Sequence, residues 1–312
     1  MGKILLFYKY TDITYPKQIL KWQKTLCESL GLKGRLILAH EGINGTIGGT
    51  SKNVDLYKQQ MQEHPLFADI DFKESEGSDD HFPRLRIVIK DQIVNFGIDP
   101  QKIRAQDGGI HISPQDAHAL MAEKNDNVVI LDCRNGYETK IGTFVGSIEP
   151  KTQKFRDFPE YVDTHLDLFK DKEVVMACTG GVRCERASAY LKSKGITKKV
   201  YQISGGIHRY CEQFPDGFFR GKNYVFDGRV TLPVTDDILS QCTLCQKASD
   251  DYTNCLHALC NKHFICCNSC LTDYKNTCSK HCYTLVYEHN APRRSLFKAS
   301  QQVDTTDHDA AS

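Results

Sequence analysis

The chain has 312 residues, 40% of them hydrophobic, and a formal net charge of +1. That length suits two or three domains, and the near-neutral balance excludes a grip on nucleic acid through bulk charge alone, leaving only a local basic face. No apolar run approaches the about 20 residues that cross a bilayer, and the short N-terminal apolar stretch is broken by Lys9 and lacks a cleavage site, so a cytoplasmic protein without a membrane partner is expected.

Residues 1–98 read as one domain. "KILLFYKY" is a strand, and "PKQILKWQKTLCESLG" a helix with Pro16 at its start and Gly31 closing it. "LKGRLILAH" is a second strand. Asn44-Gly45 in "GINGTIGG" is a hairpin signal. "SKNVDLYKQQMQEHPLF" is a helix opening on a Ser cap, and "DIDFKES" and "RLRIVIKDQIVNFG" are further strands. The order βαββαβ predicts a ferredoxin-like α+β domain. Arg84, Arg86 and Lys90 alternate with Leu85, Ile87 and Ile89. That pattern fits a solvated polar strand face or a stripe facing RNA phosphates.

Residues 99–222 alternate strands and helices. Ser113 and Pro114 open a helix, and "VVILDCR", "VVMAC" and "KKVYQIS" are buried strands. Such alternation predicts an α/β domain with a parallel sheet, whose ligands bind at the C-terminal ends of the strands. At one such end stands Cys178, followed by Thr179, Gly180, Gly181, Val182, Arg183 and Cys184. The glycines let successive amides turn inward, the helix start adds partial positive charge, and Arg183 a full one. This cradle would lower the Cys178 pKa and hold an anion. A thiolate placed so is a nucleophile able to carry a group covalently. Buried inert cysteine is the alternative. Cys184 could resolve an oxidised Cys178 as a disulfide or simply pack under the helix.

Residues 223–290 hold nine of the 14 cysteines, from Cys242 to Cys282. Cys242 and Cys245, Cys255 and Cys260, Cys267 and Cys270, and Cys278 and Cys282 form four pairs. In a reducing compartment these could supply two structural Cys₄ zinc sites, their interleaved order resembling a cross-braced arrangement with the pairing left open, with Cys266 spare and His257, His263 and His281 as alternative ligands; disulfides or free thiols are the other reading. Residues 291–312 are polar, without aromatics in the last dozen, and read as a disordered tail. No nicotinamide or flavin fingerprint is present, nor a His-His-carboxylate iron triad.

"VVILDCRNGYE", "GTFVGSI", "VVMACTGGVRCERASAYLKSKG" and "VYQISGGIHRY" resemble, in order, the motifs of a rhodanese domain. The resemblance implies that Cys178 carries a persulfide, that Arg183 is the loop cation, and that Asp132 and Arg134 are scaffold residues positioning the loop. The four residues between Cys178 and Arg183 make a loop one shorter than that of the cysteine phosphatases, which suits sulfur.

The whole chain to about residue 285 resembles a narrower family, the rhodanese-domain tRNA uridine hydroxylases. The likeness rests on "EGINGTIGG", "CTGGVRCE", "NYVFDGRV", "NCLHALCNKHFICCNSC" and "CSKHC". It implies oxygen-dependent formation of 5-hydroxyuridine at the wobble position, O2 as co-substrate and the tRNA anticodon region as partner. It implies Cys178 as the catalytic residue; one hypothesis for its chemistry is addition of Cys178, or of its persulfide, to C6 of uracil, which would activate C5. His40, Glu41 and Asn44 would line the site from the neighbouring domain, unless "EGINGT" only closes a hairpin; Arg84 and Arg86 are further candidates for substrate contact. Two other readings stand beside this one: a thiosulfate or persulfide sulfurtransferase, and a zinc-stabilised binding module on a vestigial core. The residues leave the oligomeric state open.

Overall fold

The computed structural model describes residues 2–123 and 125–294. From residue 295 on, the tail expected to be disordered lies outside the described residues. The first sheet is built from β1 (Gly2–Tyr10), β2 (Lys33–Ala39), β3 (Gly42–Thr50), β4 (Phe72–Gly77) and β5 (Leu85–Ile89), in the order β4-β1-β3-β2-β5. All pairs are antiparallel except β2 with β5. Helices α1 (Pro16–Ser29) and α2 (Ser51–Glu63) cover one face. The first four strands have the ferredoxin-like order, and β5 extends the edge.

Side chains alternate across the pleat. Leu5, Phe7, Leu36, Leu38, Ile43 and Ile47 turn inward against Val54, Tyr57 and Met61 of α2. Leu6, Tyr8 and Tyr10 therefore emerge on the other face. Two local expectations are corrected. The cap of α2 is Thr50, whose Oγ1 accepts from the Asn53 amide (3.4 Å), and Ser51 is the first helical residue. Asn44-Gly45 is not a turn. Both residues pair inside β3, and the turn falls at His40-Glu41, between Ala39 and Gly42. Packing overrides the dipeptide signal: Gly45 lies under Phe7 and Leu36, where a Cβ would come within 2.3 Å of Leu36 Cδ2. The strand expected through residue 97 ends at Ile89.

The central sheet is parallel, in the order β6 (Ile110–Ile112), β10 (Lys199–Ile203), β9 (Glu173–Ala177) and β7 (Val128–Asp132). Between these strands run α3 (Pro114–Ala122), α4 (Gly136–Thr139), the short β8 (Gly142–Phe144), α5 (Phe158–Thr164) and α6 (Val182–Ser193), and α7 (Gly206–Gln213) follows. Ser113 caps α3 as expected, accepting from the Asp116 amide at 3.1 Å. Val174 and Met176 pack with Cys184, Ala187 and Leu191 of α6 on one side. Val175 and Ala177 pack with Ala117, Met121, Ile207 and Tyr210 of α3 and α7 on the other. Both faces are thus covered, as a parallel sheet requires.

Beyond it, β11 (Phe219–Tyr224) joins β8 and β12 (Thr231–Pro233) in a three-stranded sheet. The cysteine-rich region holds the hairpin β13 (Tyr252–Asn254) and β14 (His263–Ile265), then α8 (Asn268–Asp273) and α9 (Lys280–Tyr287). No helix among the described residues is long and apolar enough to cross a membrane.

Candidate active site and metal centres

Strand β9 delivers Cys178 to a loop closed by Gly180 and Gly181. Gly181 stands at φ +103°, where an L side chain is strained, and a Cβ there would lie 2.7 Å from the Tyr8 hydroxyl. From that position its amide donates to Cys178 Sγ at 3.2 Å. Gly206, at φ +65°, lets α7 begin against the loop: its missing Cβ would sit 2.4 Å from the Cys178 carbonyl. The amides of Ile207 and His208 bind the carbonyls of Cys178 (2.9 Å) and Thr179 (3.0 Å).

Cys178 is wholly buried. Burial by itself would raise its pKa. A hydrogen bond from Cys184, the Arg183 charge and the amides of Arg183 and Cys184 outweigh burial and bring the thiol down to about 6. Cys178 is then a thiolate at neutral pH. Cys184 goes the other way. Burial and hydrogen bonds with Cys133 and Cys178 push it well up, so it remains a thiol, free to donate its one S–H to Cys178.

Arg183 does not stand free above the thiolate. Its guanidinium makes two bonds to Glu138, of 2.5 and 2.7 Å, and a third to Thr179 Oγ1 at 3.4 Å. Glu138 was not singled out from sequence, although it sits three residues after Asn135 at the start of α4 and its carboxylate binds the Asn135 amide (3.0 Å), the mark of a capping box. Asp132 and Arg134 form a buried pair (2.9, 3.1 and 2.7 Å), and Arg134 also binds the Gly142 carbonyl at 2.6 Å. They tie the end of β7 to β8 behind the loop.

The N-terminal sheet lies over the cysteine loop with its helix-free face. Leu6 Cδ2 is 3.0 Å from where a Gly180 Cβ would be. The Tyr8 hydroxyl donates to Glu185 Oε1 (3.0 Å) and that of Tyr10 to the Val182 carbonyl (3.2 Å). Lys73 is buried and pairs with Asp71 at 2.8 Å. Leu6, Tyr8 and Tyr10 were not indicated by sequence, because each gains its role only through contact with the other domain, and nor was Lys73, whose stem runs beside Gly180.

Glu41 reaches the neighbouring domain as an anchor, whereas Asn44 is tied within its own domain. Glu41 binds Arg186 of α6 (3.0 Å) and the Ile93 amide (2.8 Å), and Asn44 donates to the Ile93 carbonyl (3.1 Å). His40 is exposed, its Nδ1 3.0 Å from the Ile13 carbonyl. Arg84 and Arg86 are exposed at the β5 edge, away from the loop.

The eight paired cysteines converge in two sets, Cys242, Cys245, Cys267 and Cys270, and Cys255, Cys260, Cys278 and Cys282. Within each set all four sulfurs lie within 4.8 Å of one another. Cys245 and Cys267 stand 3.6 Å apart, as do Cys260 and Cys278, and Cys278 and Cys282 3.8 Å. Four sulfurs about 2.3 Å from a tetrahedral zinc stand about 3.8 Å apart, so each set fits that ion. The sets interleave along the chain, first pair with third and second with fourth. Of the alternative ligands, His257 approaches Cys282 Sγ at 3.8 Å, His263 stacks on Tyr252, and His281 is exposed. Cys266 lies beside the first set, donating to the Cys267 carbonyl.

A low-pKa cysteine at the end of a parallel strand, in a glycine loop with arginine on the next helix, defines a rhodanese-type domain. Family profiles agree: "Rhodanese-like domain" matches residues 113–213, "UPF0176 acylphosphatase like domain" residues 2–93 and "Rhodanase C-terminal" residues 220–283. The tRNA uridine(34) hydroxylase of Corynebacterium jeikeium is 39% identical over 288 residues, covering 89% of this chain and 93% of that protein. Its namesake in Corynebacterium urealyticum is 39% identical over 89% and 96%, and that of Kocuria rhizophila 38% over 86% and 93%. The chain belongs to the tRNA uridine(34) hydroxylase family.

Proposed function

We propose that this protein hydroxylates the uridine at position 34 of tRNA, in the cytoplasm, with Cys178 as its catalytic residue and O2 as co-substrate. The relatives' shared name supports the reaction. The observation that carries the residue assignment is the buried Cys178 sulfur, which accepts from the Gly181 amide at 3.2 Å on a loop beside the Arg183–Glu138 pair, a setting that favours the thiolate. The thiolate adds to C6 of uracil, which leaves a carbanion at C5. Oxygen takes up that electron pair, and a thiol reductant supplies two electrons that carry the second oxygen atom away as water. Loss of the C5 proton then expels Cys178 and restores the C5–C6 double bond. Thr179, Gly180, Gly181, Val182 and Cys184 shape the loop, and Asp132 and Arg134 brace it from behind. Two zinc ions on the eight cysteines would be structural, holding the β13–β14 hairpin.

The test is the 5-hydroxyuridine content of tRNA, measured by mass spectrometry of digested nucleosides, from cells that carry only the wild-type or only the Cys178→Ser protein. Loss of the nucleoside in the variant is expected. Unchanged levels in the variant, with loss only on deletion of the gene, would remove Cys178 from the chemistry. Levels independent of the protein would favour a thiosulfate sulfurtransferase built on the same thiolate.

A further inference from the structure

The register of the N-terminal sheet places one row of residues across all five strands: Lys73, Leu6, Thr46, Arg35 and Arg86. The row lies on the helix-free face. It starts over the Cys178 loop, where Leu6 meets Gly180, and ends at two exposed arginines directly opposite each other on β2 and β5. Two residues back on each chain segment stand Lys33 and Arg84, linked by the Gly34 amide donating to the Arg84 carbonyl at 3.1 Å. Of these four cations only Lys33 has a carboxylate near it among the described residues, Asp80 at 3.5 Å, itself exposed. Like charges directly opposite each other on neighbouring strands weaken a sheet. Folding gains nothing from this block, and a polyanion would neutralise it.

We propose that Lys33, Arg35, Arg84 and Arg86 bind the sugar-phosphate backbone of the RNA whose uracil enters the Cys178 loop. This rests on the tRNA reading above. Leu6 and Arg86 are three strand spacings apart, roughly 14 Å, so the cations would meet phosphates of nucleotides next to the modified one rather than a distant part of the molecule. Phosphate contacts of this kind set register and orientation, leaving the base to the loop.

The experiment measures binding of the full chain to a fluorescently labelled, unmodified anticodon stem-loop RNA over a series of salt concentrations. Four proteins are compared: wild type, Arg35→Ala/Arg86→Ala, Arg35→Lys/Arg86→Lys, and Lys17→Ala/Lys21→Ala on the exposed side of α1. The alanine pair in the sheet should bind at least about tenfold more weakly, with a slope of log affinity against log salt shallower by about 1.4, two contacts at about 0.7 each. The lysine pair should restore most of both, and the α1 control should match wild type. The melting temperature of Arg35→Ala/Arg86→Ala should equal or exceed that of wild type, since repulsion is removed. Wild-type binding left intact in the alanine variant, an equal loss in the α1 control, or failure of lysine to restore binding would overturn the proposal. Absence of salt-dependent binding by the wild type itself would overturn the tRNA reading and this one with it.

Discussion

Cys178 and Arg183 are separable by chemistry. The thiol sits at about 6 against an ordinary 9.0. Its folded pKa is lowered, so unfolding takes up a proton between those values. The stability the thiolate contributes is complete above pH 9, falls as pH drops, and is lost below about 6. The thiolate ultraviolet absorbance of Cys178, taken as the difference from Cys178→Ser, should titrate near pH 6, and activity should fall below that point; a midpoint near 9 would refute the cradle. Arg183 is 6% and Glu138 0% exposed, so their pair is shielded from water. Glu138→Gln leaves a buried guanidinium unpaired and should cost about 3–5 kcal/mol of unfolding free energy in urea. The double variant Arg183→Met/Glu138→Leu should recover most of that loss while raising the Cys178 midpoint, because the cation is gone. Recovery without a rise would mean the amides and Cys184 alone set the thiolate.

At the scale of elements, the cysteine-rich region has little strand structure, since β13 and β14 have three residues each, and on the zinc reading its order rests on the two cysteine sets. Purified protein should carry about two zinc ions per chain by atomic emission, and Cys242→Ser/Cys245→Ser about one. Strong chelation should unfold the hairpin and expose Tyr252, whose hydroxyl otherwise binds the Tyr137 carbonyl at 2.7 Å. A full chain that keeps its fold and contains no zinc would remove the metal reading. These pairs were legible in sequence because each is formed by residues three to five positions apart, and so was the Cys178 loop. Their interleaved order suggested a cross-braced partnership, which the two sets match, but only the fold brings first pair to third and second to fourth. Asn44-Gly45 misled for a related reason: a strong local turn preference lost to the burial of Gly45 beneath Phe7 and Leu36. Tyr8, Glu138 and Arg186 were invisible because their partners lie 177, 45 and 145 residues away.

Taken as a whole, the molecule keeps its nucleophile shut in. Cys178 has no exposure, and the N-terminal sheet that covers its loop is held by contacts with few alternatives. Arg186, fully buried, binds Glu41 at 3.0 Å and the Ile98 carbonyl at 2.7 Å, and Arg209 binds Asp71 and the Phe72 carbonyl. On the reading proposed above, a base entering from the side of Leu6 and Tyr8 needs these two side chains to lift from Gly180 and Gly181. The same motion should govern chemical modification. Iodoacetamide should label Cys178 slowly, at a rate set by the fraction of molecules with the sheet lifted. Glu41→Gln removes the charge that Arg186 needs in the closed state but not in the open one, where water replaces it. Losing one partner of a buried pair costs about 3–5 kcal/mol; with Glu41 11% exposed, about 1–2 kcal/mol is the fair expectation. That shifts opening by roughly five- to thirtyfold, and labelling of the Cys178 peptide, followed by mass spectrometry, should accelerate by the same factor. Tyr8→Phe, which loses one neutral-to-charged hydrogen bond, should accelerate it less. Equal rates in all three proteins would mean the thiolate is reached by a route that leaves the two domains docked, and the search for the substrate's path would move to the Phe226 side of the loop, where that exposed ring lies 5.6 Å from the Arg183 guanidinium.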